Sequence, residues 1–249
     1  MLLNTKGIVL KQTKFKESDK ILTIFTETEG KITAIAKGAR RNKSPLISST
    51  QPFCYSDFIL YKGKSMYHVN SGDVKTSFYS MREDLHRFAY ATYMVELINS
   101  SINYEEESKK IFSLLLKSLF VCSSLNNDFL KFILAFQLKL VSFIGYKPSL
   151  NHCINCNSKE LEGNIKFSIS QGGVLCSKCS SNDRYAKKVN VITLNAMNKL
   201  LYTRLDELDK VNVPKNLLLM VEAVLNDYML NHLEKKYFKS LEFIKSIEI

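Results

Sequence analysis

No stretch of these 249 residues is built to cross a membrane as a helix. The most apolar run, Phe129 to Gly145, is broken by Lys131, Gln137 and Lys139, whereas a span needs about 20 almost uninterrupted apolar residues. A secretory leader is not expected either. Lys6 and Lys11 enclose only Gly7-Ile8-Val9-Leu10, far short of a leader's hydrophobic core. Motifs that mark catalysis are absent: there is no Walker loop, Gly-x-Gly-x-x-Gly, Gly-x-Ser-x-Gly or His-Glu-x-x-His. The four histidines, His68, His86, His152 and His232, are scattered and have no nucleophile at a readable spacing. Tandem repeats and low-complexity tracts are lacking too. The expectation is a soluble, cytoplasmic protein with no membrane partner and no catalytic residues.

Cysteine is where the sequence becomes specific. Cys153-Ile154-Asn155-Cys156 is answered, after 19 residues (157 to 175), by Cys176-Ser177-Lys178-Cys179. Paired Cys-x-x-Cys knuckles at this distance have the spacing of a four-thiolate zinc ribbon. Between them Phe167-Ser168-Ile169 is strand-like, and Gly172-Gly173 supplies a turn before Val174-Leu175. Two disulfides would need an oxidising compartment, which is not expected for a chain that opens without a leader-like apolar run. With all four positions cysteine, the protein leaves no vacancy for a catalytic water, so the expected metal is one structural zinc ion per chain. His152 is a neighbour of the shell. Cys54 and Cys122 have no partner motif and read as small buried apolar residues.

The charge balance is 35 Lys and Arg against 24 Asp and Glu, a net of +11. Residues 1–80 hold 13 of those cations and 6 of the acids, a net of +7. Four thiolates around one divalent ion would lower the total to +9, from +11. A polyanion partner follows as the leading inference, either nucleic acid or an acidic protein segment.

Along the chain the hydrophobic period changes once. Strands are expected at Gly7 to Gln12, Lys20 to Thr28, Lys31 to Lys37, Gln51 to Tyr61 and Ser65 to Ser71. Five strands with one long, proline-bearing connection suit an OB-fold (oligonucleotide-binding) Greek-key barrel over residues 1–78; an SH3-like barrel fits the same pattern. From Ser80 the period becomes 3.6. Ala91, Met94, Val95 and Ile98 mark one helix, Phe112, Leu115, Leu116 and Leu119 a second, Phe129, Phe132, Ile133 and Phe136 a third. Glu105-Glu106-Glu107 is expected to open the second helix, and Gly145 and Pro148 to end the third. After the cysteine segment, about 149–184, helices resume at Leu194 to Leu208 with Thr193 as cap, then after Pro214, and finally from Lys239 to Ile247. The fold class is therefore α+β: a five-stranded barrel, then an all-helical domain over 79–249 with the zinc ribbon embedded in it.

The densest basic cluster is Lys37-Gly38-Ala39-Arg40-Arg41-Asn42-Lys43. A flexible cationic loop leaving a barrel strand suits phosphate tracking, although a solvated loop has the same composition. Lys11, Lys14, Lys16 and Lys20 form a second cluster, Lys62 and Lys64 a third. Phe15, Tyr55, Tyr61 and Tyr67 fit base stacking and barrel core equally well.

With those pieces in order, the chain resembles the RecO family of bacterial DNA repair proteins. The likeness begins at Thr5-Lys6-Gly7-Ile8-Val9-Leu10, runs through Glu17 to Thr23, and is strongest at Gly30-Lys31 and Ala36-Lys37-Gly38-Ala39-Arg40. Gln51-Pro52-Phe53, Tyr90 to Leu97, Gly145-Tyr146-Lys147-Pro148, Gly172 to Cys176 and Leu233 to Phe243 continue it in the same order. The resemblance implies an OB barrel and a helical domain holding a zinc ribbon. It further implies a recombination mediator that binds single- and double-stranded DNA and anneals complementary strands. Such a mediator contacts the C-terminal tail of single-stranded-DNA-binding protein (SSB) and RecR, and helps load RecA, an indirect partner, on coated DNA. A nucleoid-associated location goes with that role. Two rivals remain on residues alone: an RNA-binding or ribosome-associated zinc protein, and a zinc hydrolase with an unrecognised site.

Overall fold

Strand β1 (Leu2–Phe15) is long enough to pair twice, with β4 (Tyr55–Lys62) along its first half and with β2 (Asp19–Thr26) along its second. The structure, a computed structural model, describes residues 2–247. Strand β3 (Gly30–Ala36) pairs antiparallel with β2 and parallel with β5 (Tyr67–Thr76), at Ala34↔Tyr67 and Ile35↔His68. The order β1-β2-β3-β5-β4 closes on itself. This is the expected five-stranded barrel, with the parallel β3–β5 contact where the Greek-key path closes.

Alternation decides which side chains fill it. Val9, Leu22, Ile24, Ile32, Ala34, Phe58, Leu60, Tyr67 and Val69 form the interior. Phe25 sits on the other face of β2 yet is fully buried, because its ring meets Phe112 edge-on at 5.4 Å. Phe112 belongs to α3 (Lys109–Ser124), which with α1 (Tyr79–Glu83) and α2 (Leu85–Ser101) joins the barrel in one compact unit reaching to Ser124. Asp84 caps α2, accepting from the Arg87 N–H at 2.8 Å. The acidic run does not open α3 as expected. Glu105 has a positive φ of 56° and its N–H donates to the Lys31 carbonyl at 2.9 Å, so the run is held against the start of β3, ahead of the helix.

The second unit spans Leu125–Leu241. Its central helix α4 (Phe129–Phe143) is buried from Lys131 to Leu138 and packs against α5 (Val191–Tyr202) and α6 (Lys215–His232). Lysines inside such a helix need partners. Lys131 donates to Asp128 at 2.8 Å and to the Val211 carbonyl at 3.3 Å; Lys139 donates to the Leu201 carbonyl at 2.6 Å. That last bond helps explain a second departure from expectation. The helix foreseen over Leu194 to Leu208 stops at Tyr202, where Thr203 and Arg204 turn extended, and a 3-10 turn follows at Leu205–Lys210. Its cap is Asn190, whose Oδ1 accepts from the Thr193 N–H at 2.8 Å and the Thr193 hydroxyl at 2.9 Å. Thr193 is thus the capped residue. Helix α7 (Lys239–Ile247) ends the described chain and, from Glu242 on, belongs to the first unit.

Between α4 and α5 lies a small sheet, β7-β6-β8, made of β6 (Lys166–Ser168), β7 (Gly173–Leu175) and β8 (Lys187–Lys188). An isolated parallel bridge, Ser149↔Gly173, ties the segment's entry to β7. The hairpin expected from Phe167-Ser168 and Gly172-Gly173 is present.

Candidate metal centre and nucleic-acid interface

The sheet brings the two knuckles together. The Ile154 N–H donates to the Val174 carbonyl at 2.9 Å, fixing the first knuckle to the strand that leads into the second. Within each knuckle a tight turn aims two sulfurs the same way: Asn157 N–H to Cys153 carbonyl at 2.9 Å, and Cys179 N–H to Cys176 carbonyl at 3.0 Å. The ligand sulfurs of Cys153, Cys156, Cys176 and Cys179 all lie within 4.8 Å of one another. Three are buried and Cys156 is exposed.

Tetrahedral thiolate coordination at about 2.3 Å places sulfurs roughly 3.8 Å apart. Cys156 and Cys176 are 3.7 Å apart, and all six cysteines are free. Burial raises the pKa of Cys153, but the backbone N–H groups of Cys176, Cys156 and Asn155 outweigh it and bring the thiol down to about 6. Cys156 gains from the Ser158 N–H, yet the sulfurs of Cys153 and Cys176 push it up to about 11. Four sulfurs this close cannot all be anionic without a cation among them. The donor set and its spacing fit a metal ion. Asn155 adds a donor that spacing alone does not reveal, its Nδ2 lying 3.3 Å from Cys179 Sγ. His152 turns to Ser149 Oγ at 3.2 Å and stays outside the sulfur cluster.

In the barrel unit, register brings two of the three basic clusters together. Lys14 faces Lys20 across β1 and β2, and Lys20 faces Ala36, the residue before the Lys37 to Lys43 loop. The loop docks on the β1–β2 turn. Gly38, at φ +65°, donates its N–H to Asp19 Oδ1 at 2.8 Å; the Arg40 N–H reaches the Ser18 carbonyl at 2.9 Å, and its guanidinium the Glu17 carbonyl at 2.9 Å. Lys11, Lys14, Lys16, Lys37, Arg40, Arg41 and Lys43 are all exposed. Lys20 is not: it is 9% accessible, donates to Thr50 Oγ1 at 3.1 Å, and has its pKa lowered by burial and then by Arg40.

The third cluster stays apart. Lys62 pairs with Glu105 at 3.3 Å, and Glu105 is bound to Lys31 at the start of β3, whereas the basic loop leaves its end. Seven residues of strand separate them, roughly 20 Å. Lys64 is exposed beside Lys62 in the same hairpin. Of the aromatic candidates Tyr67 is core, Tyr61 is exposed, and Phe15 and Tyr55 are half-buried.

A model of the Recombination protein O N terminal matches residues 1–78, and one of its C terminal matches residues 82–242. The DNA repair protein RecO of Alkaliphilus metalliredigens is 40% identical over 247 residues, covering 99% of this chain and 100% of its own. This chain belongs to the RecO family. That of Acetivibrio thermocellus is 40% identical, with 99% and 97% covered, and that of Clostridium perfringens 34% identical, with 99% of each covered. RecO similarity thus spans both the barrel and the helical, cysteine-bearing region, and the barrel is an OB-fold. What sequence reasoning missed around the RecO barrel is Asp19, whose carboxylate receives the loop. Only its place opposite Phe15 at the hairpin turn, not any motif, hints at that role. Among the described residues no helix is long and apolar enough to cross a membrane.

Proposed function

We propose that this protein is a non-enzymatic DNA repair and recombination mediator of the bacterial cytoplasm, associated with the nucleoid. It binds single- and double-stranded DNA, anneals complementary strands, engages the SSB tail, and with RecR helps load RecA on SSB-coated DNA. The observation that carries this reading is the exposed basic rim on an OB barrel, in a chain akin to DNA repair proteins along nearly its whole length. The loop bearing Lys37, Arg40, Arg41 and Lys43, with Lys11, Lys14 and Lys16 of the adjoining hairpin, is the phosphate-contacting surface. Lys62 and Lys64 form a separate, weaker contact, since Glu105 already neutralises one of them. Lys20 acts by supporting the rim from beneath, through Thr50.

Phosphate contacts of this kind position a strand without reading its sequence. Two masked, mutually repelling strands held on one cationic protein meet at raised effective concentration, so annealing is accelerated with no bond made or broken. The ion assigned to Cys153, Cys156, Cys176 and Cys179 is zinc, one per chain, because an all-thiolate tetrahedral set suits it. Zinc supplies structural cross-linking of the two knuckles. The cysteines hold it, and the Ile154–Val174 hydrogen bond keeps the knuckles in register.

The test is annealing of SSB-coated complementary DNA without ATP. Acceleration is expected, and deleting the SSB tail should abolish most of it while sparing bare strands. Acceleration indifferent to the tail removes the capture step. Failure even on bare strands, with RNA bound in preference to DNA, replaces this reading by an RNA-binding one.

A further inference from the structure

The segment Gly145-Tyr146-Lys147-Pro148 is unused by the function described above, yet its construction is unusual. Gly145 takes φ +94° just past the end of α4, and the Tyr146 N–H reaches back to the Val141 carbonyl at 2.8 Å. This six-to-one bond is the Schellman ending of a helix. Pro148 is buried on the other side, so Tyr146 and Lys147 project to solvent from a turn fixed at both ends. Tyr146 is 46% accessible. One face of its ring lies against the His232 imidazole, centroids 4.4 Å apart and planes inclined by 31°. His232 is itself held by the Ile169 carbonyl at 3.0 Å and by the Tyr228 ring at 4.2 Å, while the Tyr228 hydroxyl donates to the Tyr146 carbonyl at 3.0 Å. A phenol ring so braced from behind is a preorganised stacking surface.

The neighbouring groups supply charge. The Lys147 ammonium lies 5.0 Å from the ring centre of Tyr202, which is 64% accessible at the end of α5. Lys199, one turn earlier on that helix, is exposed. Among the described residues neither Lys147 nor Lys199 is in an ion pair. Exposed rings interleaved with unpaired ammonium groups match the alternation of base and phosphate in a single strand. An apolar peptide would have no use for the two free cations.

We propose that Tyr146, Lys147 and Tyr202 form a second strand-binding platform, on the helical unit, that stacks bases of single-stranded DNA and neutralises its backbone. The proposal rests on the DNA-binding reading above and gives annealing the second surface it needs. The chain contains no tryptophan, so Tyr146→Trp and Tyr202→Trp each create a lone reporter. A dye-labelled oligodeoxythymidylate is titrated in; anisotropy of the dye reports total binding and tryptophan quenching reports stacking. Quenching should saturate together with anisotropy. Tyr146→Ala should weaken binding on the order of tenfold, while Tyr146→Phe, which keeps the ring on His232, should bind like the parent. Lys147→Ala should reduce the salt slope by about 0.7. Saturating anisotropy without quenching in either reporter overturns the platform and leaves DNA binding by the barrel standing. No anisotropy change overturns both. Equal quenching of a Tyr79→Trp reporter on α1, or quenching by an acidic peptide with an apolar end but not by DNA, also overturns it.

Discussion

Gly173→Ala should damage the metal centre although it touches no ligand. A Cβ on Gly173 would stand 2.3 Å from Ile154 Cγ2, 2.9 Å from Ser149 Cβ and 3.1 Å from the Ser149 carbonyl oxygen. Carbons in contact prefer about 3.5–4.0 Å, so Ile154 must retreat by more than about 1 Å. Its Cγ2 hangs directly on a β-branched carbon and has little rotamer freedom with which to yield. Ile154 lies between two ligands of the first knuckle, and Gly173 begins the strand leading to the second. The clash therefore pushes the knuckles apart, whereas metal–sulfur distances tolerate only about 0.2 Å. Overpacking of this kind costs about 1–3 kcal/mol, which, charged to the loaded state, weakens metal binding roughly 5- to 150-fold. Chelator competition with purified protein measures it, with zinc content by mass spectrometry as a check. Ile154→Ala in the same chain removes the clashing methyl and should recover much of the affinity, a coupling read from the double-mutant cycle. Parental affinity in Gly173→Ala, or a double variant no better than the single, would refute the reasoning.

Cys176→Ser should lose bound zinc and loosen the helical unit, with the OB barrel melting as before; metal analysis and residue-resolved hydrogen exchange distinguish the two units. Replacing Arg40, Arg41 and Lys43 by Ala should flatten the salt slope of single-strand binding by roughly 2 units with little change in base preference. Lys20→Met should leave that slope unchanged, because the Lys20 amine is spent on Thr50 beneath the rim. His232 should titrate below its ordinary 6.5, since burial outweighs the hydrogen bond its ring makes to the Ile169 carbonyl oxygen. The folded state then takes up its proton later than the unfolded chain. Stability contributed by the neutral ring is full above pH 6.5 and is lost as pH falls through 6.5 toward the folded value. Imidazole NMR checks the pKa, and His232→Gln should remove that part of the acid destabilisation.

The cysteine site was legible because its information is local: each knuckle's spacing sets the direction of its sulfurs, and one hairpin joins them. The barrel was legible from alternation, but β1 and β5 run beyond the expected limits because polar residues such as Asn4 and Asp73 sit on an outward face that no period distinguishes from loop. Contacts between distant segments were not legible. Nothing near Lys20 says that Thr50 will cover it, and nothing in the acidic run says that Glu105 will attach to β3. The cap at Asn190 was missed for another reason: Thr193 and Asn190 are both good caps, and only their hydrogen bond reveals which side chain accepts. Residues that seemed equivalent by charge, Lys14 and Lys20, part company on burial alone.

Closure of the barrel also bears on how copies of this protein meet. A sheet with a free border invites another chain to extend it. Here every barrel strand has two neighbours. In the small sheet, the outer side of β7 is met by Ser149, and β8 consists of two lysines, one of them paired with Asp227. Charged and very short borders resist extension. Fusion backbone to backbone is therefore left only to the stretches of β1, β3 and β5 that pair on one side. Contacts between copies elsewhere on the surface have to be built from side chains, and so stay reversible and sensitive to salt.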